Sequence, residues 1–376
     1  MLRQYRLKDY NFRLIIWVIA LSVIGILVIG SAKESVQTKQ IAGLILGLVV
    51  MVITSLIDYS WVLGFYWLSY FVGIGLLAAV LLAGENVGGA TRWIRVGGVL
   101  PVSYTHVLQF QPSDVVKILM IAFFAKFFSK HEEDISRFKT ILIALLLVAA
   151  PTALLLKEPD LSTTIVFVLL FCAMFFVSGL SYKIVGGIIV ACVPLAVLLM
   201  SLILSPDQQV LQGYQANRIL AWLKPEEYPD IARQQVNSII AIGSGQLYGK
   251  GLDNNVVSSV KNGNFISESQ TDFIFAVAGE ELGFLGCCII IILELLIALE
   301  CINIGRHARD LPGTLVGCGM GALIFFQSFI NICVTTGLMP NTGLTLPFVS
   351  YGLTSLVSFC IGIGLVLNVG LQVRKY

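Results

Sequence analysis

The chain has 376 residues, 57% of them hydrophobic and only 12% charged, with a mean hydropathy of +0.89. Soluble domains carry about 25% charged residues, so a soluble globular fold is excluded and a multi-span membrane protein is predicted. The formal net charge of +2 is too small for the basic footprint of a nucleic-acid binder.

Arg3, Arg6, Lys8 and Arg13 precede an apolar run from about Leu14 to Ile29. Signal-peptide cores are typically about 7–15 residues, so this longer run reads as a retained first helix. A hydrocarbon core of about 30 Å needs about 20 apolar residues per helix. Ten segments qualify: about 12–31, 40–57, 61–83, 107–129, 138–156, 162–180, 183–204, 271–302, 313–336 and 347–372. Helices satisfy their own backbone in lipid, so an all-α integral membrane protein with ten transmembrane helices is expected. It forms one polytopic domain, 1–376.

With the amino terminus inside, thirteen Lys and Arg residues fall on the inner side and five in the short outer loops. That asymmetry places both termini in the cytoplasm. The loops 84–106, 157–161, 205–270 and 337–347 then lie outside, the 205–270 loop being a large extracytoplasmic insertion between helices seven and eight. It contains Tyr214, Trp222, Tyr228, Pro225 and Pro229 between short helix-like pieces, then an amphipathic stretch from Gln234 to Ile242. The glycine-rich turn Gly243–Gly251 follows, which can offer backbone N–H groups to an anion but lacks nucleotide-loop spacing. The eight cysteines all fall in apolar runs and read as small hydrophobes.

Several polar groups interrupt this apolar chain. Arg92 and Trp93 sit in an outer loop, where the pair suits a membrane-interface anchor or a phosphate grip. Asp114 and Lys117 are three apart at a helix start, hence on one face. They are either a self-neutralising pair or the lining of an anion groove. Lys157, Glu158 and Asp160 lie between one span and the next. Asp272 stands where the 266–286 stretch passes from polar loop to apolar helix. It is either a helix-terminal acid, with Ser269 or Thr271 as cap, or a general base at the outer membrane surface. Glu280 is about 12 Å deeper along the same helix, and with Glu281 suits internal pairing. Asn341 to Ser355 has Gly and Pro spaced as in a broken or re-entrant helix.

Six motifs in order resemble the SEDS (shape, elongation, division, sporulation) family of RodA/FtsW/SpoVE-like proteins. They are GATRWI at 89–94, QPSDVVK at 111–117, EPDLST at 158–163, IAIGSG at 240–245, TDFIFAVAGEELGFLG at 271–286 and TGLMPNTGLTLPFVSYG at 336–352. The resemblance implies a peptidoglycan glycosyltransferase of the bacterial plasma membrane. Such an enzyme polymerises lipid II at the outer face with a class B penicillin-binding protein.

It implies Asp272 as the essential acid, Asp114 and Lys117 as the family's buried acid–lysine pair, and Arg92 and Trp93 as its Arg-Trp motif. Asp160, Arg218, Ser350 and Tyr351 are further expected substrate contacts. A divalent cation, Mg2+ or Mn2+, is a candidate aid to the diphosphate leaving group. Gln270, Asp114, Leu353 and Gln246 depart from the family pattern of His, Glu, Gly and Gly. A glycine at 353 would permit a positive φ or close backbone approach. Rival readings are a lipid II flippase, using the intramembrane charges as a polar path, and a non-catalytic scaffold.

Overall fold

The computed structural model describes residues 10–87, 90–96, 108–184, 186–187, 213–253, 266 and 269–372. Among them nine of the ten expected spans are helices: α1 (Phe12–Ala32), α2 (Glu34–Leu56), α4 (Tyr66–Ala83), α5 (Pro112–Lys130), α6 (Phe138–Lys157), α7 (Leu161–Val177), α10 (Ile274–Arg306), α11 (Leu311–Thr335) and α12 (Leu353–Leu371). Seven are long and apolar enough to cross a membrane. The other two are α7, with 17 residues, and α5, which carries Asp114, Lys117, Lys126 and Lys130. The short α3 (Tyr59–Gly64) precedes α4, and the expected span 183–204 lies almost wholly outside the described residues.

The bundle has an inside and a lipid side. In α11 and α12, 67% and 72% of the apolar window is buried, against 28% in α4 and α6. α12 packs on α2 and α11 on α10, while Ile45, Leu46 and Val49 of α2 are exposed, as lipid-facing residues should be. One interior backbone carbonyl freed by a proline is matched by a side chain. Pro151 interrupts α6 and has no N–H for the carbonyl of Leu147; the Tyr70 hydroxyl donates to that carbonyl at 3.0 Å.

The two ends of the bundle differ. At one, Tyr59 and Asp58 join Asn368, Gln372 and Asp310: Tyr59 N donates to Asn368 Oδ1 at 2.8 Å and Tyr59 Oη to Asp310 Oδ1 at 2.6 Å. Asn11 Nδ2 donates to Glu300 Oε1 at 2.5 Å at this same end. At the other end, the four loops expected outside all meet. Arg92 reaches the 157–160 turn, Ser162 donates to the carbonyl of Thr342, Arg218 to that of Asn341 and Trp222 to that of Gly337.

Two short helices account for some of the large loop: α8 (Gly213–Leu223) and α9 (Pro229–Ser244). α9 lies along α10, with Gln235 Nε2 donating to the carbonyls of Val334 and Met339 and Ser238 Oγ to that of Thr335. The loop 84–106 is not wholly irregular: β1 (Glu85–Val87), β2 (Ala90–Val96) and β3 (Leu108–Phe110) form an antiparallel ribbon in that order. It is a local addition to a helical fold.

The glycine-rich turn after α9 directs backbone N–H groups at a broken helix. α10 leaves helical geometry at Gly283 (φ 68°, ψ −167°). Across that break Lys250 N and Gly251 N donate to the carbonyls of Glu280 and Glu281, each at 3.0 Å. Phe284 N and Leu285 N donate in return to Gln246 O and Leu247 O, at 2.8 and 3.2 Å. Gly283 has no room for a Cβ against the backbone of residues 247–249.

Glu280 and Glu281 are paired, as expected. Lys250 Nζ meets Glu280 Oε1 at 2.7 Å, and Ser31 Oγ donates to Glu281 Oε1.

Candidate active site

Asp272 belongs to the turn ahead of α10. The reading with Ser269 or Thr271 as cap is not met: the N-cap is Phe273, and no side chain caps the helix there. Instead the Asp272 carbonyl accepts from Asn331 Nδ2 at 2.8 Å, and the same amide donates to Leu344 O at 2.6 Å. One buried Asn of α11 therefore holds the Asp272 turn and the 337–352 strap in register.

That strap corrects the re-entrant-helix expectation. From Pro340 to Gly352 it forms no helix. Its irregular backbone is buried in protein, as backbone at such depth must be. Gln327 Nε2 donates to Thr345 O at 3.0 Å, and Gln40 Nε2 to Ser350 O at 3.2 Å. Ser350 Oγ donates to Thr271 O at 2.6 Å and accepts from Leu346 N at 2.7 Å. Tyr351 N donates to Gln270 O at 2.9 Å. In this geometry Ser350 and Tyr351 brace the Asp272 turn.

The strap brings the charges together at Gly343. Its φ is +76°, a conformation that favours glycine. A Cβ built there would stand 3.2 Å from Asp272 Oδ2, 3.4 Å from Arg92 Nη1 and 3.9 Å from Arg218 Nη1. Three charged side chains from β2, α8 and the α10 turn thus converge on one bare stretch of backbone.

Arg92 is anchored on its far side. Its Nη2 donates to Pro159 O at 2.8 Å, and its Nη1 lies 3.7 Å from Asp160 Oδ1. Asp160 is fixed in turn as the N-cap of α7, accepting from Thr163 N at 3.1 Å and Thr163 Oγ1 at 2.8 Å. Arg218 Nη1 donates to Asn341 O at 3.2 Å. Between the two arginines is a partly open cleft lined by Ser162, Pro340, Asn341 and Thr342.

Asp114 and Lys117 are placed elsewhere. Lys117 is 2% exposed and paired with Asp114 at 2.8 Å. It donates to Gln327 Oε1 at 2.8 Å and lies 5.9 Å from the Phe359 ring centre. It does not line the cleft, but Gln327 connects it to Thr345 of the strap. Trp93 is half-buried in β2, opposite Glu85.

Leu353 does not occupy a positive-φ site. It is the first residue of α12, and its side chain fills the space over Gly43 of α2. Gln246 does occupy one, with φ +50°. Among the described residues no group of three or more His, Cys, Asp or Glu comes together.

Sequence reasoning singled out neither Asn331, Gln327 nor Glu158 as a site residue. Polar residues spaced along an otherwise apolar α11 were the available signal for the first two. Glu158 is 1% exposed beside Asp160, and burial, then Asp160, push its carboxyl up to about 8 against the opposing pull of Arg92.

Fold and site together define a multi-pass membrane protein with a carboxylate and an arginine pair gathered at one face. The family model of FtsW, RodA and SpoVE, described as cell cycle proteins, matches residues 10–375, and the chain belongs to that family. It is 31% identical over 393 residues to a probable peptidoglycan glycosyltransferase FtsW of Geobacter metallireducens, covering 98% of this chain and 96% of the relative. It is 33% identical over 355 residues to the peptidoglycan glycosyltransferase MrdB of Escherichia coli K12, covering 93% and 90%. Among solved structures, a chain of a peptidoglycan synthase complex coordinating polymerization and crosslinking superposes with TM-score 0.77 at 28% identity, covering 96% and 97%. Thermus thermophilus RodA superposes with TM-score 0.69 at 25% identity, covering 98% of both chains.

Proposed function

We propose that this protein is a peptidoglycan glycosyltransferase that polymerises lipid II at the outer face of the bacterial plasma membrane, working with a class B penicillin-binding protein. The observation that carries the reading is the convergence of Asp272, Arg92 and Arg218 on Gly343, at the end of the bundle where the outer loops meet.

The chemistry follows from those three groups. A sugar hydroxyl is a weak nucleophile and needs a base as its bond forms. Asp272 takes the proton of the acceptor glucosamine 4-hydroxyl. The oxygen attacks the anomeric carbon of the donor's muramoyl sugar, and the bond from that carbon to the lipid diphosphate breaks with inversion. Negative charge grows on the departing diphosphate, where preorganised cations act most strongly; Arg92 and Arg218 supply it. A divalent cation carried by the diphosphate would add to that charge. The lipid chain stays in the bilayer.

The flippase reading draws its support from intramembrane charges. Those of Asp114, Lys117 and Glu280 are committed to partners within the protein.

The test is Asp272→Asn, purified and folded, with lipid II supplied in detergent. Glycan synthesis should fall by at least about a hundredfold, in the range of general-base removal. An unchanged rate would overturn the assignment.

A further inference from the structure

The turn Glu158–Pro159–Asp160 puts two buried carboxylates beside one guanidinium. Asp160 takes the ion pair with Arg92, and the Pro159 carbonyl takes one of its N–H groups. Glu158 is equally buried, yet its Oε1 has no hydrogen-bond partner among the described residues, nor does Arg92 Nε. The charged groups acting on Glu158 are Asp160 on its own turn and Arg92 from β2. Arg218 lines the far wall of the cleft, Asp272 approaches at Gly343, and Lys157 is exposed at the end of α6.

One arginine does not neutralise two buried carboxylates and a diphosphate as well. A carboxylate desolvated beside a like charge keeps its proton. We propose that Glu158 is a positioning residue that rations the charge of Arg92: protonated, it leaves the guanidinium to the substrate's diphosphate; ionised, it draws that charge away and weakens substrate binding. Substrate and proton then bind together at this site, although Glu158 touches no reacting atom. The inference rests on the reading that Arg92 receives a diphosphate. The buried carboxyl gives up its proton near pH 8, so the effect falls on the alkaline side.

The experiment is the KM for lipid II in detergent from pH 7 to 9.5, for the wild type and Glu158→Gln, whose side chain is always uncharged. For the wild type, KM should rise about fivefold between pH 8 and 9, the behaviour of one proton with a midpoint near 8, with a smaller change in kcat. For Glu158→Gln, KM should be flat over the same range. A variant KM that rises with the wild-type midpoint, or a wild-type KM that does not rise, overturns the proposal.

A second measurement needs no variant. Calorimetry of the wild type with a short polyprenyl diphosphate at pH 8.5, in two buffers of different ionisation enthalpy, should show net proton uptake on binding. Zero uptake overturns the proposal. Proton uptake by a protein that makes no glycan would leave this inference standing and sink the enzyme reading; glycan synthesis with a pH-independent KM would do the reverse.

Discussion

The carboxylate of Asp272 and the guanidinium of Arg92 meet over the same atom of the chain, the α-carbon of Gly343. A methyl group there would stand 3.2 Å from one and 3.4 Å from the other. The site is therefore shaped by a missing side chain as much as by the charges around it. Gly343→Ala should lower glycan synthesis more than tenfold. It should cost only about 1–2 kcal/mol of stability, the price of a left-handed residue. Paired polymerisation and thermal-melting assays check this; a variant with full activity would show that the methyl is accommodated.

Lys117 and Asp114 are a buried pair with a third partner in Gln327. Removing one charge from such a pair costs about 3–5 kcal/mol, because the other is left uncompensated. Lys117→Ala should therefore melt far below the wild type. Replacing both, as Asp114→Asn with Lys117→Met, should restore most of the lost stability. Melting curves of the single and double variants decide the point.

Gln246 holds a left-handed backbone with φ +50°, at the turn that completes the bonds of α10. Glycine adopts that conformation without steric cost. Gln246→Gly should raise stability by about 0.5–1 kcal/mol, after the added freedom of the unfolded chain is subtracted. Activity should not change, and a thermal shift in detergent reads the difference.

Glu158 also links stability to pH. Its ordinary value is 4.5 and its folded value about 8. Between them the folded chain keeps a proton that the unfolded chain has lost, so stability falls as pH rises and the loss is complete above 8. The deficit is on the order of a few kcal/mol. Glu158→Gln should melt increasingly above the wild type from pH 5 to 8, and a constant gap would contradict the buried acid.

Hydrophobic runs and charge counts made the helices and the converging outer loops legible, because lipid admits few other solutions. Asp272, Arg92 and Arg218 stand out in the sequence as candidate site residues through motif and charge. Their common meeting point does not, since no spacing rule brings residues 92, 218 and 343 together. The strap at 340–352 has Gly and Pro spaced as in a broken or re-entrant helix. What keeps it irregular is a set of side-chain amides, Gln40 of α2 and Gln327 and Asn331 of α11, that bond its carbonyls from two other helices. The ribbon escaped for a simpler reason: β1 and β3 have only three residues each, too few for an alternating pattern to show.

The discontinuity at Gly283 leaves α10 as two helical pieces. Residues on both sides of it, Glu280 and Glu281 before and Phe284 and Leu285 after, are tied by backbone to the 245–251 turn. The 245–251 turn thus acts as a splint across the break, holding the Asp272 end of α10 to the rest of that helix.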